Sequence, residues 1–249
     1  DIMSTGFSLG LTASANVVAG GPTFRSDTYS ANVYLAVPFA EDTTFDDVSA
    51  DINGSSTQAT ATNGANSAVT SGDRYWTSSP DYVMSLLNAQ TGGVASMTYA
   101  LSTGFGTAAS TTYVLEGWFK AESSTTNNNW CLSSGDSGGR FLFGINNGSS
   151  FAFGGENNLG IGTAWAHVAI VCDSGTKRLY HNGIYKGAWV SSNTGFSTLH
   201  IGQFNAGDNN DYQGHIQDIK VTINSNRGYT GTNSGSANFT LPSSIVESF

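Results

Sequence analysis

An all-β chain folded as a two-sheet antiparallel sandwich is the class this sequence predicts, and three observations predict it. Short apolar runs recur about every ten residues, with Gly- and Asn-rich turns between them, which is the spacing of sandwich strands. Residues 165–183, WAHVAIVCDSGTKRLYHNG, read as two strands and two tight turns in direct succession. No apolar stripe of helical period and helix length occurs anywhere in the 249 residues.

Within residues 165–183, Trp165 to Cys172 form an apolar run rich in Val, Ile and Ala, broken only by His167. Asp173, Ser174, Gly175 and Thr176 supply turn chemistry: short side chains that bond back to the backbone, and a glycine free to take positive φ. Residues 177–181 then alternate charged and apolar. Asn182-Gly183 is a strong two-residue hairpin signal, because both central positions of a type I′ turn need φ > 0. Ile184, Tyr185, Lys186 and Gly187 begin the return strand of an antiparallel meander.

Taken from the start, residues 1–31 are Gly, Ala, Ser and Thr with scattered apolar positions, and read as an extended N-terminal arm. Residues 32–249 form the sandwich domain, including an irregular C-terminal segment. Residues 33–39 are the first convincing strand, with Pro38 placing it at an edge or near its own end. Residues 45–49 follow a polar turn, and residues 50–73, poor in hydrophobic periodicity, hold one or two weak strands. Tyr75-Trp76 and Tyr82-Val83 bracket a loop at Pro80, and residues 97–101 are another short strand.

Residues 111–120, TTYVLEGWFK, put Tyr113, Leu115, Gly117 and Phe119 on one face and Val114, Glu116, Trp118 and Lys120 on the other. Large apolar groups on both faces mark a central strand whose outer face is partly covered. Residues 130–132, 141–143 and 151–153 give three more strands at regular spacing, and residues 199–202 another. In residues 212–222, strict alternation sets His215, Gln217, Ile219 and Val221 against Ile216, Asp218, Lys220 and Thr222. Residues 227–242 are irregular, with Phe239 and Leu241 as anchors.

Composition narrows the functional classes. Charged residues make up 11%, with 9 basic against 18 acidic, a net charge of −9. So acidic a chain lacks the cationic footprint that nucleic acid demands, and an anionic membrane repels it. No stretch approaches the ~20 apolar residues of a membrane span. Aromatic residues at 12% argue for a packed core. A surface of Ser, Thr, Asn and 31 Gly is common in extracellular and virion proteins. The chain starts at Asp1, and is expected to be processed or part of something longer. Cys131 and Cys172 are expected to be buried free thiols; pairing would need their strands to be neighbours.

Several segments in order carry a family resemblance: Trp165-Ala166-His167-Val168-Ala169, Leu179-Tyr180-His181-Asn182-Gly183, Leu199-His200-Ile201-Gly202, and residues 212–218, YQGHIQD. With Val114-Leu115-Glu116-Gly117-Trp118-Phe119, residues 33–39 and residues 45–49 upstream, they closely resemble the laminin-G-like, concanavalin A-like jelly-roll family. The close, from Arg227-Gly228-Tyr229 to Asn238-Phe239-Thr240-Leu241-Pro242, is similar to versions carried by phage structural proteins. The resemblance spans residues 33–243. It implies two curved antiparallel sheets used for carbohydrate or protein adhesion, in phages within tail, fibre and capsid-surface proteins.

The family also hosts glucanases, whose chemistry would require a pair of acids. Glycoside hydrolysis needs two carboxyl groups roughly 5–10 Å apart. Glu116 has Val114 and Trp118 at i−2 and i+2, and Glu156 precedes two Asn in a turn, so no catalytic residue is assigned. His167, His181, His200 and His215 fall in strands without an i, i+2 pair, which favours histidines bonded within or beside the sheets over a metal set. No G-x-S-x-G context singles out a nucleophile.

Asp208, Asn210 and Asp211, in the loop 205–211, pack oxygen donors that suit Ca²⁺, with a solvated Asn/Asp turn as the alternative. Trp76, Tyr82, Trp130, Trp189 and Tyr212 sit in or near loops and are the candidates for stacking on a sugar ring. The sequons at Asn53, Asn147 and Asn238 are accidents of composition on this reading. The functional expectation is a non-enzymatic virion structural or adhesion protein that displays its loops outward. Its partners would be other virion proteins or copies of itself and a host-surface polysaccharide, with no nucleic acid and no membrane insertion. The alternative is a secreted or cell-surface carbohydrate-binding module.

Overall fold

A computed structural model describes residues 28–37, 60–63, 68–70, 83–85, 97–100, 112–121, 129–133, 142–146, 150–153, 164–190, 198–202, 212 and 214–242. Over these residues the chain is a β-sandwich of two antiparallel sheets, with one short 3-10 turn at Ser30–Asn32. The larger sheet contains β1 (Val33–Val37), β3 (Ala68–Thr70), β4 (Val83–Ser85), β6 (Tyr113–Ala121), β10 (Ala166–Asp173), β11 (Thr176–His181), β12 (Ile184–Val190) and β14 (Gly214–Ile223). Its order is β12-β11-β10-β6-β14-β4-β3, and β1 shares the far edge of β14 with β4. The smaller sheet contains β2 (Thr60–Asn63), β5 (Met97–Ala100), β7 (Asn129–Ser133), β8 (Leu142–Asn146), β9 (Ser150–Phe153) and β13 (Thr198–Ile201). It runs β2-β5-β13-β7-β8-β9.

The regularly spaced aromatic runs become β7, β8 and β9, which pair in succession as a meander. The two turns read from residues 165–183 connect β10, β11 and β12, with left-handed φ at Ser174 (51°), Gly175 (84°), Asn182 (49°) and Gly183 (74°). Asn182 also seals the open end of the β10–β11 ladder. Its N–H donates to the His167 carbonyl at 2.8 Å, and its Oδ1 accepts from the His167 N–H at 2.9 Å. The hairpin dipeptide thus acts as a clamp as well as a bend.

β6 is central, with β10 on one side and β14 on the other. Cross-strand partners share a face. Leu115, Phe119, Ile170, Val221 and Ile216 therefore form one buried row on a face of the larger sheet, and Tyr99, Leu132, Leu199 and Ile201 a buried row on the smaller one. The other face carries Val114, Glu116 and Trp118 from β6 with His167, Ala169 and Val171 from β10, and it is buried too.

Strict alternation in β14 fails at one point. Gln217 pairs with Trp118 and Lys220 with Glu116, so Asp218 and Ile219 together stand opposite Gly117. Asp218 takes φ 55°, a left-handed conformation that Asp tolerates better than most residues. The bulge resets the parity of the strand, so Gln217 and Lys220 share the outer face that simple alternation would have split between them. Gly117 is what makes room: a Cβ there would collide with the Ile219 side chain.

Gly214, the first residue of β14, is equally constrained. At φ 156° a Cβ would run into the Lys120 backbone oxygen and lie 2.8 Å from the Tyr212 hydroxyl. Backbone on a central strand cannot give way as a flexible side chain can. Gly214→Ala is expected to cost about 1–3 kcal/mol, read as a lower denaturant midpoint with an unchanged m-value. An unaltered midpoint would contradict this register.

Candidate functional site

The most chemically loaded place among the described residues is the outer face of the larger sheet, where Glu116 projects from the middle of β6. Its neighbours along that face, Val114 and Trp118, are apolar, and its side chain is 2% exposed. A bare carboxylate in such a place is costly, so partners must be delivered to it. Four arrive from three directions. Lys220, cross-strand on β14, brings Nζ to 3.1 Å from Oε1, and Arg227 brings Nε to the same distance. The Tyr229 hydroxyl donates to Oε2 at 3.2 Å, and Nε2 of His167 on β10 lies 3.4 Å from that oxygen.

Burial alone would raise the Glu116 pKa, but the Lys220 and Arg227 charges and the His167 contact outweigh it and hold the carboxyl well below its ordinary range. Tyr229 moves the opposite way: burial and the neighbouring carboxylate push its phenol well up, so it stays a protonated donor.

Arg227 and Tyr229 belong to residues 224–242, an irregular strap laid over this face. Tyr229 and Phe239 stack with ring centroids 3.7 Å apart, and Phe239 meets the edges of Tyr180 and His167. Tyr229 packs with Val114, Ala169, Val171 and Tyr180 in a small second core, which Tyr185 and Phe239 flank. The Tyr180 hydroxyl lies 3.0 Å from the Tyr229 carbonyl and 2.9 Å from that of Gly231, so it donates to the strap backbone. Asn238 ties the far end down: its N–H donates to the Gly183 carbonyl at 2.7 Å, and its side-chain amide donates to the Asn233 carbonyl at 2.8 Å. That amide is committed to holding the strap, although the sequence around it is a sequon.

The expected anchor Phe239 is thus in place, and Tyr29, read as part of the arm, lies beneath the Arg227 guanidinium at 5.0 Å. Tyr212 is fully buried, so its ring is a core residue and presents no face for stacking on a sugar. Trp130 lies in β7 and Trp189 in β12, opposite Lys177. Trp76, Tyr82, Asp208, Asn210 and Asp211 lie outside the described residues. Cys172 is a free, buried thiol on β10, in a different sheet from β7, which carries Cys131.

Sequence reasoning missed Glu116 as a hub because it looked for partners two residues away on the same strand. The available signal was different: one acid in an apolar strand face, in a chain with only 9 basic residues to neutralise it. Chemically the cluster is a fastening. One carboxylate saturated by two cations supplies neither the second carboxyl nor the exchangeable proton that glycoside hydrolysis uses.

Residues 95–223, just over half of the chain, match the family model described as the concanavalin A-like lectin/glucanases superfamily. The match ends where β14 ends, so the strap lies beyond it. The binding domain of Paraclostridial Mosquitocidal Protein 1 is similar in fold, with a TM-score of 0.55 and 10% identity, covering 78% of this chain and 49% of that one. So is the botulinum neurotoxin serotype D binding domain, at TM-score 0.53, 16% identity and coverage of 78% and 48%. The binding domain of botulinum neurotoxin DC in complex with SialylT gives TM-score 0.52 and 14% identity, covering 78% and 48%. The chain spans about half the length of these solved domains. No curated protein matches the sequence.

The depressed pKa of Glu116 gives a signed expectation. A carboxylate that binds protons more weakly when folded adds stability above its unfolded pKa, and that stability fades as pH falls towards the folded value. Glu116→Gln leaves two cations unpaired and is expected to cost about 3–5 kcal/mol at neutral pH. The deficit should narrow below roughly pH 4. Denaturant titrations of both proteins across pH check this; a deficit as large at pH 3 as at pH 7 would contradict it.

Proposed function

Because this chain belongs to the concanavalin A-like lectin/glucanase superfamily, we propose that it is a non-enzymatic binding and display protein that uses the sandwich as a rigid support for its loops. The observation that carries the reading is the fate of the larger sheet's outer face. Its carboxylate is consumed by Lys220 and Arg227, and its apolar strip is covered by the strap, so this face serves assembly of the domain rather than capture of a ligand. Recognition then falls to loops and strand ends, where binding residues on sandwich scaffolds concentrate.

The ligand class we favour is a surface polysaccharide. A solved domain of similar fold is described in complex with SialylT, which supports a glycan over a small metabolite. Trp130 and Trp189 are the described candidates for stacking contacts, since indole faces pack well on sugar rings. The finer reading is a virion component: a phage tail, fibre or capsid-surface protein, joined to other virion proteins or to copies of itself. It is supported by the resemblance of residues 227–242 to the close of phage structural proteins. The second reading is a secreted or cell-surface carbohydrate-binding module.

One experiment with two arms tests the proposal. On a glycan array of bacterial surface polysaccharides, the chain is expected to bind a restricted subset, and Trp130→Ala or Trp189→Ala to weaken that binding at least tenfold with the far-ultraviolet spectrum preserved. Quantitative mass spectrometry of purified particles is expected to find the chain at constant stoichiometry. Binding without particle association favours the secreted module; no binding to any glycan, with both variants indistinguishable from the parent, sinks the glycan reading.

A further inference from the structure

We propose that residues 224–242 are a strap that opens and recloses on the sandwich as a unit of its own, with Glu116 as its pin. Its attachment differs in kind from that of a strand. Among the described residues, its backbone bonds to the sheets are Asn224 N–H to the Thr112 carbonyl and Asn238 N–H to the Gly183 carbonyl, beside one isolated bridge between Ile184 and Ala237. Side chains add Arg227 and Tyr229 on Glu116, Arg227 on the Thr222 hydroxyl, Tyr180 on two strap carbonyls, the Asn238 amide on the Gly183 carbonyl, and Phe239 against Tyr180 and His167. β6 is paired along its length with β10 and β14 and with no part of the strap, so opening the strap requires no strand pair to break.

One residue of the hinge is bent against its preference. Asn224, Arg227 and Gly228 take φ of 57°, 54° and 74°. For Arg the left-handed region is disfavoured. The turn is braced locally, with the Arg227 N–H donating to Ser225 Oγ at 3.1 Å and the Gly228 N–H to Asn226 Oδ1 at 3.0 Å. The residue under strain is also the one that pairs with Glu116. Removing the pin therefore withdraws the attraction that holds the strained turn closed, and does so at the hinge itself. Opening uncovers Val114, Ala169, Val171 and Tyr180, an aliphatic and aromatic strip that the folded sandwich otherwise hides.

Sub-global opening of this sort is read by native-state hydrogen exchange. The comparison is between the Asn238 amide, bonded to Gly183, and the ladder amides of β10. In the parent chain Asn238 is expected to exchange at least tenfold faster than the β10 amides once intrinsic rates are removed. Tyr180→Phe, which deletes only a hydroxyl, is expected to speed Asn238 exchange at least fivefold while the β10 amides change less than twofold. Glu116→Gln should give a larger effect in the same direction. If that variant does not fold, the Tyr180→Phe comparison stands alone as the test. Asn238 and β10 amides that share one opening rate in the parent chain, or that accelerate together in Tyr180→Phe, would make the strap part of the global unit and overturn the proposal.

Discussion

One desolvated carboxylate dictates much of this structure. Glu116 sits on the central strand with apolar neighbours to either side, and a face so composed could be covered only if the charge was met. Lys220 meets it across the ladder, Arg227 and Tyr229 reach it from the chain beyond β14, and His167 closes the remaining side. Covering the face and neutralising the acid are therefore the same event. The strap buries Val114, Ala169, Val171 and Tyr180 because its first residues are held by the carboxylate beside them.

That arrangement depends on a detail of register. Lys220 reaches the face of Glu116 because Asp218 adopts a left-handed φ and the pair Asp218–Ile219 is accommodated opposite Gly117. With a side chain at position 117, the tip of Ile219 would have to move aside. A glycine, a lysine and a bulge that a linear reading does not show act together to place one amine. The family match ends with β14, so the strap that completes the cluster lies beyond the matched region.

The fold was largely legible in the sequence, for physical reasons that act locally. Asn182-Gly183 and Gly175 call for left-handed backbone, and the structure has it at all three and at Ser174 as well. The regular recurrence of aromatic runs predicted successive strands of a sandwich, and β7, β8 and β9 are those strands, paired in order. The cluster was much less legible, because its members come from residues 116, 167, 220, 227 and 229, and no local pattern links them. Alternation in residues 212–222 set Lys220 and Gln217 on opposite faces, and they share one, since a bulge is invisible to a period-two count. Tyr212 looked like a loop aromatic and is a core one: burial depends on how the chain packs, which a loop-like composition does not reveal.

The account turns on whether Glu116 and Arg227 act as a pair rather than as two separately tolerated residues. A double-mutant cycle with Glu116→Gln, Arg227→Gln and the double variant, read by equilibrium denaturation at pH 7, measures that directly. The predicted coupling is about 1–3 kcal/mol, with the double variant more stable than the sum of the single losses implies. Losses that simply add, to within about 0.3 kcal/mol, would mean that the strap is held by packing alone and that the carboxylate is not its anchor.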